Sequence, residues 1–363
     1  MTDNERVPNS RAAAVREFLQ TETAGALVLL LAAVAALVWA NSPVSSSYDR
    51  FWTYELRIDI GMIHRGLAPR HFVNEGLMAI FFFVVGLEIK REFVAGELHN
   101  WRRAALPALA ALGGMIAPSL VYLMFNFGGP GGRGWGIPMA TDIAFAVGVL
   151  ALLGRRVPPS LRIFLLTLAV VDDVGAIVVM AVAYATVTGL IPLVAAMAAL
   201  CIPAPPGKAG GSPRGLLVQR LQQLLHPLAS FLVMPLFALA NAGVSFEANS
   251  LRAPGAPSVF MGVVLGLVLG KLVGISALSW IAIRLGLGEL PDGVGFRQLF
   301  GAAAVAGIGF TVSLFIAQLA FAAPELVSAA KLGVLLSSVL ASVVGFVLLR
   351  TPECDAKHVT RNT

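Results

Sequence analysis

Apolar runs of about 17 to 25 residues recur along the whole chain, each long enough to cross a hydrocarbon core about 30 Å thick as a helix. About ten such candidates run approximately Ala24 to Ala40, Glu75 to Ile89, Leu106 to Phe125, Gly136 to Leu153, Leu161 to Val187, Gly189 to Ile202, Leu225 to Phe246, Val259 to Leu285, Leu299 to Phe321 and Ala329 to Leu349. In lipid every backbone N–H and C=O must be satisfied within the chain, so this pattern predicts an all-α polytopic membrane protein. The composition agrees, with 57% of the 363 residues hydrophobic and only 13% charged, too apolar for a soluble domain. The first run follows Arg6, Arg11 and Arg16 and so invites a signal-peptide reading. It is longer than a usual signal core and many spans come after it, which favours an uncleaved first helix.

The net charge of +6 does not form one basic patch, as nucleic-acid binding would require; the basic residues sit in short loops between apolar runs. With the N-terminus inside, most of the 26 lysines and arginines fall in cytoplasmic segments, and only an even number of spans puts Arg155, Lys208, Arg214 and Arg350 together. Both termini are therefore expected in the cytoplasm of a bacterial inner membrane. Residues 1–23 and 350–363 read as cytoplasmic ends of a single transporter domain over 24–349. Between the first two spans, Tyr54 to Ile60 alternates apolar and charged residues, the pattern of a strand, which points to an extramembrane β-hairpin over about 54–66. Residues 203–224 read as a Pro/Gly-rich cytoplasmic linker ending in an amphipathic stretch. Cys201 and Cys354 have no pairing or metal-site spacing, so neither a disulfide nor a cofactor is expected.

Four ionisable residues lie deep within apolar runs: Asp142, Asp172, Asp173 and Lys271. Each costs roughly 2.5–3.5 kcal/mol at a helix centre. One ion pair that merely fixes helix packing would explain two of them but leaves three acids against one base. Adjacent side chains on a helix diverge by about 100°, so Asp172 and Asp173 point differently yet can border one cavity, one meeting Lys271 and the other an ion. Asp142 lies in Ile137-Pro138-Met139-Ala140-Thr141-Asp142, where a span is expected to unwind and free carbonyls for a cation. Ala306-Gly307-Ile308-Gly309-Phe310-Thr311 gives a second break. Either break alone could be close helix packing at small residues; two, one in each half of the chain, suggest an inverted-repeat transporter. Glu88-Ile89-Lys90-Arg91-Glu92, closing the second span, reads either as interfacial anchors or as the lining of an entry funnel.

Six stretches, in order, resemble the NhaA family of sodium/proton antiporters: Val85 to Glu92, Ala140 to Phe145, Val171 to Ala176, Phe237 to Val244, Gly270 to Ile275 and Gly307 to Thr311. The rule linking broken helices to such transporters is drawn partly from this family, so it adds no independent weight. The resemblance implies inverted repeats over about 106–187 and 259–349, with two broken helices crossing and Asp142 and Lys271 balancing their dipoles. It implies Asp173 as the main Na⁺ and H⁺ site, Asp172 as its partner and the mate of Lys271, and Thr141 as a neighbour. Glu88, Glu92 and Arg220 would line a cytoplasmic funnel that responds to pH, and the hairpin would join two protomers of a homodimer. Three departures stand out. The family usually has twelve spans and this chain lacks about two between Ile202 and Leu225; Gln222 and Gln223 replace an acid and a histidine of the pH sensor; Glu75 replaces an aspartate.

Two carboxylates, a hydroxyl and unwound carbonyls suit Na⁺ or Li⁺. Withdrawal from water and a nearby cation act oppositely on a carboxylate's hold on its proton, so one aspartate can carry H⁺ or a cation in turn. The chain is thus expected to exchange ions and not to act as an enzyme. Rival readings are a transport-dead shortened paralogue serving as an assembly partner, and an intramembrane aspartyl protease. The latter wants Gly-x-Gly-Asp, whereas Phe310 comes directly after Gly307-Ile308-Gly309.

Overall fold

The computed structural model describes residues 10–60, 63–99, 101–184, 187–202, 213–245 and 251–350. Residues 203–212 of the proline-rich linker, residues 61–62 and the C-terminal tail with Cys354 lie outside the described residues. Helix α1 (Ser10–Ala40) leads to the short α2 (Ser45–Thr53), and Leu56–Ile60 (β1) pairs antiparallel with Ile63–Leu67 (β2), Leu56 opposite Leu67. The second span is composite: α3 (Pro69–Phe72), a π turn at Val73–Leu77 and α4 (Met78–Ala95). Next in order are α5 (Trp101–Asn126), a 3₁₀ stretch over Gly132–Met139, α6 (Ile143–Leu153), α7 (Pro159–Ala183) and α8 (Val187–Cys201).

The second half begins with α9 (Pro213–Leu228), which continues through a π turn at Ala229–Val233 into α10 (Met234–Asn241). Then come α11 (Ala256–Leu265), a π turn at Gly266–Gly270, α12 (Lys271–Arg284), α13 (Phe296–Val305), α14 (Phe310–Ala320) and α15 (Pro324–Arg350). Among the described residues eight helices are long and apolar enough to span a membrane; α13 and α14 form a further pair bent by 48°, and Leu190–Cys201 is a shorter apolar helix. The chain is a multi-pass membrane protein. The span expected from Leu225 starts earlier, at Arg220, because the amphipathic stretch is helical and runs straight into it. The span expected to reach Val187 ends as helix at Ala183, with Tyr184 outside helical geometry.

Close packing positions the site. Where α5 crosses α12, a Cβ on either Gly113 or Gly274 would overlap the other's backbone carbonyl, so only glycine allows the contact. That approach, one turn after Lys271, carries the lysine to full burial at the centre of the protein. The π turn directly before Lys271 adds a residue to the helical repeat and so rotates α12 relative to α11.

Candidate ion-binding site

Both expected breaks are present, and they meet. Ala140, Thr141 and Asp142 are non-helical between the 3₁₀ stretch and α6, and Ala306 to Gly309 separate α13 from α14. The Asp142 N–H donates to the Ile308 carbonyl at 2.6 Å, and the Ser313 hydroxyl donates to the Ile137 carbonyl at 2.6 Å, stitching the two interrupted spans together. Each break frees backbone groups that lipid cannot satisfy, so polar side chains must gather there.

Asp142 serves two helix N-termini at once. It is the N-cap of α6, where Oδ1 accepts from the Phe145 N–H at 3.2 Å. Its Oδ2 accepts from both the backbone N–H (3.0 Å) and the hydroxyl (2.7 Å) of Thr311, at the start of α14. Two positive dipole ends converge on one carboxylate, which offsets the cost of its burial. Thr311 belongs to the break motif, but nothing in the spacing points to a partner so distant in sequence.

Lys271 occupies the opposite pole. Its Nζ donates to Asp172 Oδ2 at 2.5 Å and to the Thr141 hydroxyl oxygen at 2.8 Å. Thr141 Oγ1 lies 2.6 Å from Asp172 Oδ2 and 2.9 Å from the Ala306 carbonyl, just beyond the C-terminus of α13. The lysine charge is thereby linked through Thr141 to a negative helix end as well as to its carboxylate. Lys271 and Asp172 side chains are both fully withdrawn from solvent.

The acids are not equally committed. Asp142 and one oxygen of Asp172 have partners, whereas Asp172 Oδ1 is buried with no hydrogen-bond partner among the described residues. Asp173, on the same stretch of α7, opens on a cavity of about 1980 Å³ that is also lined by Thr141, Asp142, Thr311 and Glu88. A buried carboxylate oxygen without a partner is costly unless another group compensates it.

On the wall of the same cavity, Glu88 Oε1 lies 3.3 Å from His226 Nε2. Glu92 also lines the funnel, and its Oε1 accepts from the Glu97 N–H. Arg220, expected there, is exposed and is not among the lining residues. Gln222 instead ties α9 to α4, donating to the Leu87 carbonyl at 3.0 Å. The two glutamines stand where the resemblance implies an acid and a histidine, and His226, further along the same helix, is the residue that meets Glu88. It is 138 positions from Glu88 in sequence, so helical periodicity could not reveal the pair.

The sequence profile of the Na⁺/H⁺ antiporter 1 family matches residues 16–204 and 185–349. The chain belongs to the Na⁺/H⁺ antiporter 1 family. It is 43% identical to Na(+)/H(+) antiporter NhaA 3 of Frankia alni, over 93% of this chain and 89% of that protein. It is 45% identical to Na(+)/H(+) antiporter NhaA 2 of Pseudomonas syringae pv. syringae, over 94% and 96% respectively. Against Na(+)/H(+) antiporter NhaA of Proteus mirabilis the identity is 41%, over 93% and 97%. The Frankia comparison runs to 410 positions against a chain of 363, so that relative has stretches without a counterpart here. Members of this antiporter family are transporters and not enzymes.

Proposed function

We propose that this family member exchanges Na⁺ or Li⁺ for H⁺ across the bacterial inner membrane by competition at the Asp172–Asp173 pair. The observation that carries the reading is the unequal commitment of the three acids: Asp142 is held by three donors, Asp172 by Lys271 through one oxygen, and Asp173 faces the funnel. Asp173 and the free oxygen of Asp172 are then the ion ligands, with Thr141 beside them. A cation entering the funnel displaces protons from this site, and returning protons displace the cation. Unwound carbonyls near the crossing supply further oxygen ligands.

Cation binding expels more than one proton, one from Asp173 and a further one from the Lys271–Asp172 pair, so more charge moves with protons than with Na⁺ and the cycle is electrogenic. Rocking of one helical bundle against the other exposes the pair to each side in turn. The interrupted spans, one in each half of the chain, support inverted repeats over about 106–187 and 259–349 within a ten-span arrangement. The β1–β2 pair suits the contact of a homodimer, and the loop charges favour cytoplasmic termini, with lipid as the surrounding partner. Purified protein in proteoliposomes should move protons on addition of Na⁺ or Li⁺ and not of K⁺, at a rate that responds to membrane potential. A folded protein without such flux would overturn the proposal and leave the assembly-partner reading.

A further inference from the structure

About 10 Å along α14 beyond the Thr311 that holds Asp142, three side-chain amides close a ring. Asn74 donates to Gln318 Oε1 at 2.5 Å, Gln318 donates to Asn241 Oδ1 at 2.8 Å, and Asn241 donates to Asn74 Oδ1 at 2.7 Å. Each amide gives one N–H and its carbonyl accepts one, while Asn241 also donates to the Phe237 carbonyl. Three amides in apolar surroundings can satisfy one another in such a ring, and none can change charge with pH.

The ring's place is set by the helices that carry it. Asn74 lies in the π turn of the second span, 14 residues before Glu88, or about 21 Å along the axis. Asn241 ends α10, a similar distance beyond His226. The second span and α9–α10 are thus antiparallel and joined twice, by Glu88–His226 at the funnel and by Asn74–Asn241 at the other end. Gln318 comes from α14, about 10 Å beyond Thr311 on the side away from the funnel. One turn nearer the site, the buried Phe315 packs against Phe82 of α4 and Phe237 of α10, with ring centroids 5.6 and 6.3 Å apart. An aromatic layer and then an amide ring therefore join α14 to the α4–α10 pair.

We propose that Asn74, Asn241 and Gln318 form an uncharged latch that holds the ion pathway closed on the side opposite the funnel. This rests on the exchange reading. Release of the ion to the far side requires α14 to part from α4 and α10, which breaks the two bonds of Gln318 and leaves the Asn74–Asn241 bond intact. Because the ring is neutral, it seals without competing for Na⁺ or H⁺.

The test uses the full chain with Cys201→Ser and Cys354→Ser, carrying Ala238→Cys, a buried position one turn from Asn241. A membrane-impermeant thiol reagent is confined to the ring's side of sealed vesicles. Gln318→Leu should speed labelling about tenfold or more, the shift set by two ordinary hydrogen bonds. An unchanged labelling rate would overturn the latch. In a second arm, without Ala238→Cys, an Asn74→Cys and Gln318→Cys pair bridged by a reducible bifunctional reagent should stop exchange, and reduction should restore it. Exchange at the unbridged rate would likewise overturn the latch, and recovery on reduction shows that the protein remained folded. Labelling needs no ion flux, so it still reads the latch if the exchange proposal itself fails.

Discussion

Replacing Lys271 by alanine isolates the largest electrostatic element of the site. The lysine makes two hydrogen bonds, to Asp172 and Thr141, and both members of the ion pair are fully buried. Removing one partner of such a pair strands a buried charge and costs about 3–5 kcal/mol. Asp172 can escape by taking up a proton, which for an ordinary carboxylate costs about 4 kcal/mol at pH 7 but only about 1.5 kcal/mol at pH 5. The two routes are equal near neutrality, and protonation is the cheaper one in acid. Lys271→Ala should therefore be strongly destabilised at pH 8, and its deficit against the parent should shrink towards pH 5. Melting in detergent at both pH values reads this directly. Adding Asp172→Asn to Lys271→Met removes both charges and should recover much of the stability at pH 8. A single variant that melts like the parent at pH 8 would refute the buried pairing, and a deficit independent of pH would refute protonation of Asp172.

Thr311→Val keeps the backbone N–H to Asp142 but loses the hydroxyl, which should lower stability by about 1–3 kcal/mol in the same melting assay. Gly274→Ala puts a Cβ against the Gly113 carbonyl, and since both groups are backbone the helices must separate, costing about 1–3 kcal/mol or more in melting and slowing exchange. Rate curves against Na⁺ at several pH values should converge at saturating Na⁺, with apparent affinity changing up to about tenfold per pH unit where one proton competes. His226→Gln should leave that convergence intact; a saturated rate that collapses in acid in the parent but not in this variant would place the pH response at the Glu88–His226 pair.

Features that carry a free-energy penalty in lipid were legible from sequence. Asp142, Asp172, Asp173 and Lys271 stood out because each is costly in an apolar run, and the breaks at Thr141 and Gly307 because they interrupt helix-forming segments. The pairing of Lys271 with Asp172 was anticipated, but the partners of Asp142 were not legible, since Thr311 lies 169 positions away and only the crossing of two half-helices brings them together. Neutral groups left still less trace. Asn74, Asn241 and Gln318 cost little individually in hydropathy, and their closed ring depends on three helices meeting at one level. Arg220 is the opposite case: it was expected in the funnel, but its side chain is exposed, and the contacts of α9 with α4 are made by His226 and Gln222.

Na⁺-driven proton movement in everted vesicles, compared between the parent and Asp173→Asn, tests the ion site most directly. The amide preserves shape but cannot alternate between holding a proton and a cation, so the variant should insert and fold normally and show no Na⁺-dependent flux. Exchange at the parent's rate by Asp173→Asn would contradict the assignment of the site to the Asp172–Asp173 pair.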